Sequence, residues 1–381
     1  MSTQDDLVVA GRLERWRRSL IDTSQKNRLI NFTESNGVLR LSRPGGSTIF
    51  DRLVVRGEEL EVGLDGDGTD ASGMLLSDRD RAVVERTLLN LRLKAREAQR
   101  EQGINVLFLS IGMLEWKDIS GQELRSPLLL IPAELRRSGP LQPYRVAAID
   151  EGAVVNPILA HRLRAEYGLE LPSMPSEQIA EAVDAVMKQV QDMVASAGWA
   201  VATGNYLGLF SFAKMVMYEE LTASRDLALE HPVVRALAGC PSHLPAAGTI
   251  SPVELEGKPS QTYQVLDADS SQQEAIALAR KGGSFVLQGP PGPGKSQTIA
   301  NIIAETLAAG KTVLFVSEKM AALEVVKRRL DERGLGEFCM ELHSHKANRQ
   351  EVAAELGRCL HPKAPAVVPS DQLDELARLR K

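Results

Sequence analysis

Apolar positions near the start of the chain fall at helical intervals. Leu13, Trp16 and Leu20 recur three and four residues apart, and the spacing predicts a helix with one apolar face over 13–31. Residues 42–75 place Gly, Asp and Ser between short apolar islands such as Leu53-Val54-Val55, so strand fragments and loops are expected there. From 77 to 102, Val83, Val84, Leu88, Leu91 and Leu93 mark a long amphipathic helix that Gly103 stops. Three runs rich in Val, Ile and Leu follow at 104–116, 126–131 and 144–149, separated by turn residues, and predict a sheet. Ser176 is placed to cap a helix striped by Ile179, Val183, Val186, Val190 and Val194, with Gly198 at the left-handed end; another helix is expected over 211–221.

Periodicity fades between 239 and 260, where Pro, Gly, Ser and Ala accumulate as they do in connections between domains. Beyond it helical and strand-like segments alternate: helix 272–281, strand 284–288, helix 295–309, strand 312–317, helix 320–333. A short strand at 338–342, a helix at 348–360 and a last helix opening near Ser370 come after these. Such alternation predicts an α/β fold with a parallel sheet. The expected organisation is a mixed α/β accessory domain over 1–240, a linker over 241–262 and a nucleotide-binding domain over 263–381.

Composition narrows the class without choosing the function. A chain of 381 residues exceeds the roughly 250 at which single cores stop growing, so more than one domain is expected. With 43% hydrophobic and 25% charged residues it has enough apolar material for real cores. Its net charge of −5 gives no overall attraction to nucleic acid, so any such binding needs a local groove. The three cysteines, Cys240, Cys339 and Cys359, form no CxxC pair, which fits a reducing cytoplasm. No apolar run is long enough to span a bilayer, and the amino terminus lacks the apolar core of a signal peptide, so neither membrane insertion nor secretion is expected.

The chemistry concentrates in Gly289-Pro290-Pro291-Gly292-Pro293-Gly294-Lys295-Ser296. This run fits GxxxxGK[ST], with the apolar residues Phe285, Val286 and Leu287 before it and a helix pattern after it. The glycines let backbone N–H groups turn toward phosphates, and the helix start adds partial positive charge at the same point. Lys295 is then expected to reach the β- and γ-phosphates, and the Ser296 hydroxyl to hold Mg²⁺, with Gln297 beside them and Thr298 a weaker metal candidate. Pro293 lacks the N–H that this loop position normally supplies, which predicts a loss of about 1 kcal/mol in binding. A turn that merely joins a strand to a helix would give Lys-Ser no packing purpose.

Upstream, Ser271 and Glu274 have the spacing of a capping box. Gln272, in a Gln-x-x-Ala-Ile pattern shortly before the loop, has a second reading: its carboxamide both donates and accepts, as paired bonds to an adenine edge require. Cys339, His343 and His345 lack a fourth ligand at metal spacing. Trp16, Trp116 and Trp199 read as core, and Arg17, Arg18, Lys26 and Arg28 form a basic group that a charged helix face explains equally well.

Taken together, Gln272, the GPPGPGKS loop with its QTIANII continuation, VLFVSEKMAALEVV at 313–326 and ELHSHK at 341–346 resemble superfamily 1 DNA and RNA helicases. The amino-terminal part resembles the domain of unknown function 4011 that precedes the motor in large bacterial members, through WRRSLID at 16–22, NRLINF at 27–32, FLSIGMLEW, RSPLLLIPAEL and LGLFSFAKMVMYEEL. The resemblance implies a RecA-like P-loop lobe using ATP and Mg²⁺. It also implies that Ser317 and Lys319 contact single-stranded DNA or RNA, where a solvated helix start is the plainer reading. Family members generally carry Thr where this loop has Pro293.

A motor also needs an apolar strand ending in Asp-Glu to position Mg²⁺ and the attacking water. Nothing after Ser296 supplies it: Glu341 follows an apolar run but lacks the paired Asp. The expectation is therefore the front half of a RecA-like lobe that binds ATP, with translocation confined to a complete motor. The alternatives are a non-catalytic nucleotide-binding or interaction protein, or one subunit of a split motor completed by a downstream polypeptide. A nucleotide kinase fits less well, given Gln272 and the 317–319 motif.

Overall fold

The computed structural model describes residues 4–35, 37–66, 73–149, 152–175, 179, 181–240, 262–289, 292, 294–341, 349–360, 375 and 378. Chain contacts divide into two compact units, one of residues 14–99 and 104–224, the other of 1–13, 100–103 and 225–381.

The first unit is built on a single sheet. Its strands are β1 (Val38–Leu41), β2 (Leu60–Leu64), β3 (Met74–Ser77), β4 (Leu107–Lys117), β5 (Glu123–Arg136), β6 (Arg145–Ala148), β7 (Val154–Val155) and β8 (Ala200–Leu209). They run in the order β1-β8-β4-β5-β6-β2-β3, with β7 paired to β5, and every pairing is antiparallel except β2 with β3. The central β4 and β5 are buried almost end to end, which follows from their near-continuous Leu, Ile and Met. Gly112 (φ +72°) lies where the β4–β8 register shifts, and a Cβ there would stand 2.4 Å from Met187 Cε, so only glycine fits.

The first helix, α1 (Gln4–Leu20), is the predicted amphipathic helix begun earlier and ended sooner; residues 21–35 are turns and coil. Later helices supply side chains to the core of the sheet unit. Leu53-Val54-Val55 is helical rather than strand-like, because α2 (Gly46–Phe50) runs on into a π-type turn over Asp51–Val55 that buries Ile49, Phe50 and Leu53. Next, α3 (Arg81–Gln102) buries Val84, Thr87, Leu88 and Leu91 and ends at Gly103 (φ +68°). The helix α4 (Pro157–Tyr167) was not predicted, and its signal was the Asn156-Pro157 start. Helix α5 (Ala182–Val194) buries Val183, Val186, Val190 and Val194, but Ile179 is exposed before it and Ser176 lies outside the described residues; Gly198 (φ +70°) ends the following turn. Helix α6 (Lys214–Ala223) matches the 211–221 expectation.

Buried polar bonds lock the NRLINF segment onto β5. Asn156, fully buried, donates through Nδ2 to Leu29 O (2.7 Å) and Pro127 O (2.8 Å), while its Oδ1 accepts Leu159 N–H as the cap of α4. Ser126 Oγ donates to Ile30 O (2.5 Å) and accepts from Trp116 Nε1 (2.9 Å). At the β4–β5 turn, Asp118 accepts from Ser120 Oγ, the Ser120 and Gln122 amides and Gln25 Nε2, with Arg162 Nη2 at 3.6 Å. The Ser120 hydroxyl bond leads these in lowering the Asp118 pKa from 3.8 to about 2, burial opposing it. Trp116 and Trp199 pack edge-on with Tyr167 in the core, as single aromatics in apolar settings predict, whereas Trp16 is half-buried.

The second unit contains α7 (Arg225–Glu230), α8 (Pro232–Leu237), α9 (Ser270–Arg280), α10 (Gly294–Ala308), α11 (Met320–Asp331) and α12 (Arg349–Leu360). Its small core joins Ala300 and Ile303 to Val326 and Leu330. The predicted strands at 284–288, 312–317 and 338–342 do not form among the described residues: the first two join no ladder, and Gly336–Phe338 is a 3-10 turn. A strand is defined by its ladder, and no neighbour supplies one; Val286 is 81% and Leu314 85% exposed as a result. The predicted linker over 241–262 lies outside the described residues except for residue 262, and the start of the terminal helix near Ser370 lies outside them too.

Two outcomes follow for the sheet unit. Asn156→Ala, which strands two carbonyls and an N–H, should cost about 3 kcal/mol in urea unfolding. Because the Asp118 pKa falls on folding, its contribution is full above the unfolded value near 4 and is lost as pH drops toward 2. The stability gap between the parent chain and Asp118→Asn should therefore narrow from pH 7 to pH 3.

Candidate nucleotide-binding site

Two helix starts meet at the GPPGPGKS loop. The first is that of α9, where Asp269, not Ser271, is the cap: Asp269 Oδ1 accepts Gln272 N–H (2.9 Å) and Gln272 Oε1 accepts Asp269 N–H (3.2 Å). Asp269 sits in the extended conformation two residues earlier than the Ser-x-x-Glu spacing implied, and its box partner is Gln272 rather than Glu274. Ser271 Oγ donates to Asp269 Oδ1 (2.6 Å) and, with the Gln272 amide, holds the Asp269 carboxyl below its ordinary pKa.

The second start is that of α10. A Cβ built on Gly294 would lie 2.7 Å from Gln272 Nε2, so the carboxamide of Gln272 abuts the end of the loop and would have to shift to admit a side chain there. Lys295 folds back along the loop, its Nζ donating to Gly289 O at 2.5 Å. Gln272, Gly289, Gly294 and Lys295 thus converge, with Ser296 and Gln297 in the first turn of α10 and Gly292 exposed between. Pro290, Pro291 and Pro293 lie outside the described residues. Thr298 is buried and its Oγ1 donates back to Gly294 O at 3.1 Å, which occupies the hydroxyl locally and sets it apart from a metal role.

Sequence reasoning missed the residues that brace this corner. Asn301, fully buried on α10, accepts Val265 and Leu266 N–H through Oδ1 (3.0 and 2.9 Å) and donates from Nδ2 to Leu266 O (2.9 Å). One turn on, Glu305 accepts Tyr263 N–H (2.8 Å) and lies 3.6 Å from Arg280 at the end of α9. Gln264 and Gln273 exchange reciprocal amide bonds (2.6 and 2.7 Å). The segment leading into Gln272 is therefore clamped on both sides. The available signal was Asn301 and Glu305, polar residues on the apolar stripe of a helix rich in Ile and Ala.

The remaining candidates sit apart from this cluster. Ser317 and Lys319 share a turn in which Ser317 Oγ accepts Lys319 N–H (3.3 Å) at the start of α11, the solvated-helix-start arrangement. Glu341 pairs with Lys327 at 3.3 Å. His343 and His345 lie outside the described residues. The early basic group is dispersed: Arg17 and Arg18 both pair with Glu14, while Arg28 turns to Ser35 Oγ.

Residues 19–163 match the protein family described as "Protein of unknown function (DUF4011)". A stretch of 69 residues is 48% identical to the Uncharacterized ATP-dependent helicase MG140 of Mycoplasma genitalium, and equally to its homolog in Mycoplasma pneumoniae. Over that stretch the chain is similar to these two helicases. The aligned stretch covers 18% of this chain and 6% of each relative's length. No solved structure matches. No helix among the described residues is long and apolar enough to cross a membrane.

Asn301→Ala should destabilise the second unit by about 2 kcal/mol in urea unfolding and release the 262–266 segment to faster amide exchange. Unchanged protection at Val265 and Leu266 would show that the clamp is not needed.

Proposed function

We propose that this chain carries the ATP-binding part of a superfamily 1 DNA or RNA helicase, with 263–381 the first portion of a RecA-like lobe. The observation that carries this reading is the convergence of Gln272, Gly289, Gly294 and Lys295 where α9 and α10 begin. In this reading the Lys295 ammonium exchanges Gly289 O for the β- and γ-phosphates, the N–H groups of Gly289, Gly292 and Gly294 and the start of α10 face the phosphate oxygens, and Ser296 ligates Mg²⁺. Gln272 offers Nε2 to the base while its Oε1 stays in the cap. The unbranched, bare Gly294 leaves that amide accessible. Pro290, Pro291, Gly292, Pro293 and Gln297 complete the loop wall, and Ser317 and Lys319 meet single-stranded DNA or RNA.

Cradle residues of this kind bind a ground state; turnover needs a water-positioning carboxylate as well. The described Glu341 is engaged with Lys327 and does not serve. Full ATP-driven movement along nucleic acid thus belongs to a complete motor. A second reading, one subunit of a split motor, is favoured by the exposed Val286, Leu314 and Val316, which suit strands that take ladder partners from another polypeptide.

Calorimetric titration of Mg·ATP tests the first reading. The parent chain should bind, Lys295→Ala should lose about tenfold or more, and Gln272→Ala should lose preference for ATP over GTP. Equal heats from the parent and Lys295→Ala would remove the P-loop claim. Mixing with the downstream polypeptide should produce nucleic-acid-stimulated ATPase activity only if the motor is split.

A further inference from the structure

Arginines across the sheet unit are mostly neutralised in pairs: Arg40 with Asp78, Arg43 with Asp65, Arg52 with Glu58, Arg136 with Glu59 and Arg162 with Glu166. Helix α3 departs from that pattern. Among the described residues no ion pair joins Arg86, Lys94 or Arg96 to a carboxylate, nor does one join Arg28, which lies close to this helix in space.

Lys94, Asn90 and Leu91 form one side of a notch of about 240 Å³, and Arg28, Gly37 and Leu209 form the other. No acidic or aromatic residue lines it. Ser35 Oγ fixes the Arg28 guanidinium by accepting from Nη2 at 2.9 Å. A Cβ on Gly37 would sit 3.6 Å from Arg28 Nη1, so the glycine leaves that face of the guanidinium uncovered. Arg86, Asn90 and Lys94 recur every four residues and extend the notch as a ridge, at steps of about 6 Å along the helix.

Two cations and an amide converging without a carboxylate suit phosphate oxygens, and the lack of aromatic rings leaves nothing on which a base could stack. The chain is acidic overall, so attraction to a polyanion must be local, and this is a local concentration of unneutralised charge. A membrane surface is the poorer fit. An interfacial helix needs a broad outward apolar face, whereas α3 turns Val84, Leu88 and Leu91 into the core and exposes only Leu89 and Leu93 among its leucines.

We propose that the notch between Arg28 and Lys94, continued along the ridge to Arg86, seats the phosphate backbone of nucleic acid in a sequence-independent contact. The choice of nucleic acid rests on the helicase-related reading; the contact itself needs no nucleotide, so failure of ATP binding would leave it standing.

The test is fluorescence anisotropy of the full chain with labelled single-stranded oligonucleotides of two unrelated sequences, without ATP, across a salt series. The parent should bind both alike at about 50 mM salt, with affinity falling linearly in log–log form. The double variant Arg28→Glu/Lys94→Glu should bind about tenfold or more weakly, with a salt slope shallower by about one to two. Arg86→Glu/Lys94→Glu changes only exposed side chains and should weaken binding in the same direction, which separates lost contact from lost folding. Lys295→Ala should bind the oligonucleotides like the parent. Binding within twofold of the parent by both charge-reversal pairs would overturn the proposal. So would no binding by the parent, or binding that only Lys295→Ala removes. Anionic phospholipid vesicles captured by the parent, with oligonucleotides left unbound, would overturn it in favour of a membrane surface.

Discussion

Asn156 holds together parts of the sheet unit that are far apart in sequence. Its side chain is fully buried; the amide nitrogen satisfies the carbonyls of Leu29 and Pro127 while the oxygen caps α4. Buried backbone carbonyls without donors would each cost a kilocalorie or more, so the NRLINF segment can lie against β5 only because Asn156 and Ser126 supply those donors. The same placement of α4 brings Arg162 to Thr23 O, Glu166 and the ring of Trp116, and near Asp118 at the hairpin turn. The residues matching the uncharacterised family span both sides of this arrangement.

In the other unit the organising chemistry is that of helix ends. Asp269 and Gln272 cap α9 reciprocally, and the bare Gly294 lets the other end of the Gln272 carboxamide reach the start of α10. One side chain thereby serves as a structural cap and, in the nucleotide reading, as a donor to the base. Asn301 and Glu305 keep the approach to Gln272 in place from the opposite face of α10. The capping bonds and the proposed chemistry are consequently coupled: loosening the 262–266 segment would misplace Gln272 without altering the loop.

Charge follows a similar division of labour. Most arginines of the sheet unit are spent on carboxylates, which suits a chain of net charge −5, whereas Arg86, Lys94 and Arg96 on α3 and Arg28 join no carboxylate among the described residues. Arg28 reaches that notch because 21–35 leaves the helical path after Leu20, a turn that separates it from the Arg17 and Arg18 pairs with Glu14.

The sequence alone determined the elements whose signal is local. The stripe of Val84, Leu88 and Leu91, the stop at Gly103, the apolar β4 and β5 and the glycine-lysine-serine loop before α10 all follow from side-chain periodicity or from the few residues that a given backbone turn allows. Elements that exist only through distant partners were not legible. The strand β8 alternates weakly and needs β1 and β4 beside it; Leu53 reads as strand yet winds into a helical turn to reach the core; 284–288 and 312–317 read as strands yet lack ladders among the described residues. The same holds for the sites. The loop announced itself through its spacing, but the clamp by Asn301, the cap by Asp269 and the meeting of Arg28 with Lys94 were decided by the tertiary structure. Hydrogen bonds and charges act over a few ångströms, and only folding brings residues 28 and 94, or 265 and 301, within that range.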